Sequence, residues 1–264
     1  IELSQYWQET KFEEPSKNSL IPIKVLGVIW DTVKDELKLD LSSINCSLSS
    51  TICTKRAILQ LSCMIFDPIG FIAAFTIRAK VLLQVTWQRG LGWDDELPND
   101  LRRKWKKWTF EVPKLKDIII PRWYFPRSSR ENIDFQIHVF CDASELAFGT
   151  IAYLRYMNES GQYEVSFVLA KARVAPVRKI TLPRLELLSA VLGARVLDSL
   201  RSVFHITNNY YLWSDSMVTL HWIKGCASNW KPFVGNRVME VQAKTEPENW
   251  RHCCGIDNPA DLLT

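Results

Sequence analysis

A mixed α/β fold is predicted by three observations in this sequence of 264 residues. Between residues 133 and 174 three runs with strand-type alternation follow one another. From residue 182 onward helical and strand patterns alternate. Upstream of a proline-bearing stretch at 113–132 the chain reads as mostly helical. Consecutive strands followed by alternating helices and strands describe a mixed sheet flanked by helices, here preceded by a smaller, mostly helical region. The expected division is 1–112, a linker at 113–132, and a sheet domain at 133–264.

In chain order, Lys24–Trp30 (KVLGVIW) and Leu37–Leu41 read as a strand pair joined by the acidic turn Asp31–Glu36, with Gly27 marking a bulge or close backbone approach. Thr54–Ile65 and Phe71–Gln88 read as two helices separated by Asp67-Pro68-Ile69-Gly70. In a further helix, Leu97–Phe110, the residues Leu101, Trp105 and Trp108 recur at i, i+4 and i+7, an apolar stripe that demands a core. Its other face holds Arg102, Arg103, Lys104, Lys106 and Lys107, either a phosphate-tracking surface or a solvated one. Pro113, Pro121, Pro126 and Ser128-Ser129 then mark the boundary.

Past the boundary, Phe135–Asp142 (FQIHVFCD) alternates Phe135, Ile137, Val139 and Cys141 against Gln136, His138, Phe140 and Asp142, a strand ending in a carboxylate. Strands at 148–156 and 165–171 follow, with a turn at Gly161. Thr181-Leu182-Pro183 opens a helix over 182–201 with Glu186 in its first turn, where the helix dipole favours an anion. A strand at 210–215 closes on Asp215, a helix occupies 216–224, another lies near 233–243, and a strand spans 249–254. Asp261 follows Asn258-Pro259-Ala260, a turn that reads as a helix entry.

Asp142, Glu186, Asp215 and Asp261 taken singly are a turn residue, a dipole partner, a second strand end and a cap. Jointly they stand where elements converge on one edge of a sheet. Such a carboxylate cluster suits two magnesium ions, with manganese an alternative, because both prefer oxygen ligands. Two such ions roughly 3.5–4 Å apart can activate a water and stabilise a leaving oxygen in phosphodiester cleavage. Asp142 is expected to bridge both ions, Glu186 and Asp215 to complete one site and Asp261 the other. Glu145, Glu159, Glu164 and Asp198 read as solvated.

Composition sets looser bounds. The net charge of +4 and pI near 8.6 permit nucleic-acid binding. From residue 167 to 184 the bases Lys171, Arg173, Arg178, Lys179 and Arg184 occur with no acid among them, a basic approach to an acidic site that suits a phosphate-backbone substrate. Ser144 and Ser216, beside two of the carboxylates, are further candidates for contacts to the nucleic-acid strand. Seven cysteines with no CxxC pair argue against a zinc site or a disulfide framework and for a reducing compartment. No apolar run approaches membrane-spanning length and no secretory signal opens the chain. Ile1 at the start and a helix entry at the end point to a segment of a longer polyprotein.

The motifs FCDAS (140–144), RLELLSA (184–190), LWSDS (212–216) and DNPADL (257–262), in that order, resemble the ribonuclease H domain of retroelement polyproteins. With KVLGVIWD (24–31), CMIFDPIGF (63–71) and WDDELP (93–98), the chain is similar over essentially its whole length to the BEL/Pao group of retrotransposons. The resemblance implies a ribonuclease H-like sheet preceded by the thumb and connecting region of a reverse transcriptase. Leu26-Gly27 would then belong to a primer-gripping hairpin. It also implies cleavage of the RNA strand of an RNA/DNA hybrid, with the rest of the Pol polyprotein (palm, fingers and integrase) as partner, no membrane partner, and a cytoplasmic particle or replication complex as location. The alternative is an inactive nucleic-acid-binding or scaffold fragment of a decayed element. The Tyr-x-Asp-Asp of a polymerase site and the Asp-Thr-Gly or Asp-Ser-Gly turn of an aspartic peptidase are absent from the sequence. The family often carries a mobile His-containing loop before its last Asp. Here only Gly255-Ile256-Asp257 separates Cys254 from Asn258, and His252 reads as a strand residue.

Overall fold

In the computed structural model, residues 23–25, 28–47, 52–125 and 133–264 are described. The Leu26-Gly27 pair expected in a primer-gripping hairpin lies outside them. Strands β1 (Ile23–Val25), β2 (Val28–Asp31), β3 (Glu36–Leu39) and β4 (Ile119–Pro121) form an antiparallel sheet in that order. Asp31 turns the chain by accepting from the Val33 and Lys34 N–H groups, and Asp35 adopts φ 57 at the end of the turn, a conformation Asp tolerates better than most residues. The Arg122 guanidinium closes on the Asp35 carboxylate at 2.5 and 3.1 Å, tying the far end of the sheet to this turn.

β4 corrects the expected linker. Residues 112–117 form a 3-10 turn, and Ile119-Ile120 pair with Leu37 and Lys38 of β3. The apolar, β-branched run Ile118–Ile120 favours a strand once an edge is offered, whatever the flanking prolines suggest. Beyond it Tyr124 and Phe125 already belong to the second core: Tyr124 O accepts from Ser166 Oγ at 2.6 Å and Phe125 packs on Phe135 and Tyr156. Residues 126–132 of the expected linker lie outside the described residues.

Helices α1 (Ser42–Ser47), α2 (Lys55–Cys63), α3 (Ala73–Gln88) and α4 (Asn99–Glu111) follow the hairpin. Thr54 caps α2 by accepting from Ala57 N. On α4 the predicted stripe is buried: Leu101, Trp105 and Trp108 meet Ile58, Leu82 and Leu97, and Trp108 stacks between Trp105 and Phe75 at 5.0 and 4.8 Å. The two buried indoles and the partly buried Phe75 ring add large apolar area to a core otherwise built of aliphatic side chains.

The second sheet has the order β7-β6-β5-β8-β9, built from β5 (Phe135–Ala143), β6 (Ala147–Met157), β7 (Tyr163–Val174), β8 (Tyr210–Ser214) and β9 (Trp250–His252). The first three are antiparallel; β5, β8 and β9 are parallel. It is the mixed sheet expected, with α5 (Leu182–Phe204) packed on β5 and β6, α6 (Met217–Lys224) beside β8 and β9, and α7 (Pro232–Lys244) packed on α5 and α6. Ile137, Val139 and Cys141 turn toward α5, as their alternation requires, and join Leu187, Ala194 and Leu197 in the main core.

The edge strand β7 is covered by the first region. Ala170 N donates to Ile69 O at 2.8 Å and Gln84 Nε2 to Ala175 O at 2.6 Å. Gly70 makes this contact possible, since it sits at φ +74 and a Cβ there would stand 1.9 Å from Ala170 O. Covering an edge strand also blocks pairing with other chains. Ala73 of α3 and Leu263 near the C-terminus share a small core with Ile151 and Ala170 on this side. No helix among the described residues is long and apolar enough to cross a membrane.

Candidate active site

Asp142 lies one residue before the end of β5, where it pairs with Gly149 of β6. Asp215 follows the last residue of β8, the parallel neighbour of β5 whose Ser214 pairs with Cys141. The strand order therefore sets these two carboxylates side by side, at a spacing of about 4.8 Å between strands. Glu186 comes from above, on α5. Ser189, one turn further along, donates from Oγ to Gly149 O at 2.9 Å. Gly193, a second turn on, lets the helix lie so close to β5 that a Cβ there would meet Cys141 Sγ at 2.3 Å. That close approach brings Glu186 down onto the strand ends.

Asp142, Glu186 and Asp215 each offer a carboxylate oxygen, and these oxygens lie within 4.8 Å of one another. Asp142 is 5% and Glu186 7% exposed. Burial, then the charges of Asp142 and Asp215, push the Glu186 carboxyl up to about 8. Asp142 is raised by burial, opposed by the Thr264 hydroxyl that donates to its Oδ2 at 2.7 Å, and raised further by Asp215 and Asp261. Burial and the same two aspartates, Asp215 and Asp142, raise the Cys253 thiol to about 11, so it stays protonated beside the cluster.

Glu186 Oε2 and Asp215 Oδ1 are buried and find no hydrogen-bond donor among the described residues. An unsatisfied buried carboxylate oxygen is costly unless a cation answers it. Three converging carboxylates with two such oxygens, and no imidazole or thiolate among the ligand atoms, fit a hard, oxygen-preferring dication such as Mg²⁺ or Mn²⁺.

Asp261 is not one of the three. It is exposed, on a 3-10 turn (Pro259–Leu263) rather than the expected helix entry. The turn is held by Asn258, which is buried, donates from Nδ2 to Cys141 O at 3.0 Å and accepts the Ala260 N–H at 3.1 Å. Asn258 thereby ties the turn to β5 next to Asp142. The Asn-Pro pair signals a cap in the sequence, but its attachment to Cys141 has no local signal.

The other candidates divide. Ser144 Oγ accepts from Leu146 and Ala147 N–H in the β5–β6 turn, and Ser216 Oγ caps α6 by accepting from Thr219 N, so both have local structural work. Lys171, Arg173, Arg178 and Lys179 are exposed and form no ion pair among the described residues. Ala172 shares the register row of Gly149 and Asp142, so Lys171 and Arg173 point to the α5 side of the sheet. There Arg173 lines a cavity of about 260 Å³ with Arg195 and Arg237. Arg184 is half-buried over the Phe233 ring at 5.0 Å. Of the acids expected to be solvated, Glu164 lies on β7 and accepts from Tyr156 and Asn158, and Asp198 pairs with Lys244. His252 is exposed on β9.

Among solved structures, the N-terminal ribonuclease H domain of a Mycobacterium tuberculosis protein, fused to maltose binding protein, is similar at 13% identity, over 50% of this chain and 91% of its own, with a TM-score of 0.33. Ribonuclease H1 of the archaeon Halobacterium salinarum is similar at 12% identity, over 49% and 92%, with a TM-score of 0.31. The foamy viral protease-reverse transcriptase in complex with double-stranded DNA aligns with 90% of this chain and 45% of its own at 13% identity, with a TM-score of 0.45. No curated protein matches. The Pao retrotransposon-like RNaseH-like domain matches residues 54–216, more than half of the chain and a span that runs from the cap of α2 through Asp142, Glu186 and Asp215. This chain belongs to that family.

Proposed function

We propose that this chain is the hybrid-cleaving nuclease segment of a retrotransposon Pol polyprotein, acting on the RNA strand of RNA/DNA hybrids with two divalent ions, Mg²⁺ or Mn²⁺. The observation that carries the reading is the convergence of Asp142, Glu186 and Asp215 with two buried oxygens that lack donors. Bound there, divalent ions would lower the pKa of a water and offset charge on a leaving oxygen. Asp142 and Asp215 contribute rigid ligands because both sit at ends of paired strands. Glu186 contributes a ligand whose carboxyl is raised first by burial and then by the charges of Asp142 and Asp215, and a cation would offset both. Asp261, carried by the Asn258-anchored turn, would complete the set at its exposed side. Lys171, Arg173, Arg178, Lys179 and Arg184 would meet phosphates. Ser144 and Ser216, despite their turn roles, keep hydroxyl protons with which to contact the strand.

In this reading, residues before β5 are the end of a reverse transcriptase, and the partners are the hybrid and the rest of Pol within a cytoplasmic particle. The test is cleavage of a labelled RNA/DNA hybrid in Mg²⁺, wild type beside Asp142→Asn, with duplex DNA as control. Hybrid-specific cutting that disappears in the variant is expected, because the variant keeps the volume of the side chain and removes its charge. Equal cutting by both proteins would overturn the assignment, and binding without cutting by the wild type would favour an inert fragment.

A further inference from the structure

The cavity of about 260 Å³ bounded by α5, α7 and the strands β6 and β7 includes none of Asp142, Glu186, Asp215 and Asp261 in its lining. Phe148, Leu188 and Leu192 give it an apolar floor, and Arg173, Arg195 and Arg237 stand around that floor with Glu240. Three guanidiniums therefore share one carboxylate, and it is already engaged. Glu240 accepts from Arg195 Nε at 2.6 Å and Nη2 at 3.0 Å, a bidentate pair that links α5 to α7.

Arg173 and Arg237, which reach the cavity from β7 and from α7, form no ion pair among the described residues. Arg237 donates from Nη1 to Phe233 O at 2.8 Å and lies over the Phe233 ring at 3.6 Å, with Arg184 over the same ring at 5.0 Å. Burial holds the Arg237 guanidinium below its ordinary value, opposed by Glu240 and reinforced by the like charge of Arg184. Guanidiniums gathered on one small cavity repel one another and lose hydration, and an anion between them offsets both costs. The apolar floor decides which anion. A phosphodiester strand would bring its repeated charges against Glu240 and leave the floor unfilled. A peptide that sets an aliphatic or aromatic side chain beside a carboxylate fills the floor and answers the guanidiniums together.

We propose that this cavity docks an acidic, apolar peptide segment of a partner protein, with a Leu- or Phe-sized side chain on the floor and the neighbouring carboxylate held between Arg173 and Arg237. The docking site stands apart from the nuclease reading, which shares only Arg173 with it, so the variants that test it are made at Arg237.

The test is the anisotropy of a fluorescein-labelled peptide, Glu-Leu-Phe-Glu with an amidated C-terminus, titrated with the full chain in EDTA. Saturable binding is expected, and Arg237→Gln should weaken it about tenfold by removing a charge-assisted bond. Arg237→Lys keeps the charge without the planar fork and should recover only part of the loss. Lys107→Gln, on α4 and outside this cavity, should leave the affinity unchanged. Peptide changes test both halves of the ligand on the wild-type fold: Gln-Leu-Phe-Gln should bind weakly and lose its salt dependence, and Glu-Ser-Ser-Glu should bind weakly at any salt. No saturable binding by the wild type at millimolar peptide, or binding that ignores either change in the peptide, would overturn the proposal. An Arg237→Gln protein that keeps its urea midpoint and its affinity for the peptide would do the same, as would an equal loss in Lys107→Gln. If Arg237→Gln weakens binding of a labelled RNA/DNA hybrid as much as it weakens the peptide, the cavity belongs to the nucleic-acid surface and the proposal fails.

Discussion

Asn258 illustrates how a residue can shape a site from behind it. Its amide satisfies Cys141 O on one side and the Ala260 N–H on the other, so Asn258→Ala leaves a buried carbonyl without its donor. The expected cost is about 1–3 kcal/mol, read as a lower urea midpoint, together with a larger loss of hybrid cleavage under conditions where the variant is still folded. Cleavage that falls only in proportion to the folded fraction would deny it a positioning role. His138, four residues before Asp142, reports on pH instead. Burial, then the charge of Arg155, holds its imidazole down to about 4 from an ordinary value of 6.5. Its Nδ1 accepts from Trp213 Nε1 at 3.0 Å while Nε2 faces Gln136 Oε1 at 3.2 Å, an arrangement that needs the neutral ring with its proton on Nε2. The native state therefore binds fewer protons than the unfolded chain between these values. The stability this contributes is complete above about 6.5 and is lost as pH falls toward 4. His138→Phe should flatten the acid limb of a urea midpoint measured from pH 7 to pH 4, and an unchanged limb would mean another group governs it.

At the scale of elements, the approach of α5 to β5 decides where Glu186 stands. Helix and strand touch at Gly193 and Cys141, where a methyl group has no room. Gly193→Ala should cost about 1–3 kcal/mol through overpacking and reduce cleavage by lifting the N-terminal half of α5. Cys141→Ala in the same chain removes the sulfur that clashes. A double-mutant cycle followed by urea denaturation should thus show favourable coupling between the two sites, whereas strictly additive effects would place the strain elsewhere. The apolar periodicity of α5 and its opening at Thr181 are legible in the sequence, and so is the alternation that ends β5 near Asp142. The distance between the two elements is not, because it depends on a glycine in one meeting a cysteine 52 positions away in the other.

For the whole molecule, two cores are locked together where α3 covers β7, and the carboxylates gather at the strand ends beyond that contact. An ion that binds only the native arrangement must stabilise it, by about 2.7 kcal/mol at a hundred times its Kd. Mg²⁺ should therefore raise the thermal midpoint of the wild type and leave Asp142→Asn nearly unmoved, with EDTA reversing the rise. A rise of equal size in both proteins would locate the ion elsewhere. The sequence by itself determined the α/β class, the strand ends that carry Asp142 and Asp215, the helix that carries Glu186, which stands just past its first turn rather than in it, and the buried stripe Leu101, Trp105 and Trp108. Each of these is encoded within a few residues by alternation, capping or helical spacing. Tertiary structure alone decided that β4 completes the first sheet, that Asn258 reaches Cys141, and that Glu186 is buried against two other acids. Those features depend on strand order and on contacts between residues far apart in the chain. They arise only when the whole chain has buried its apolar surface.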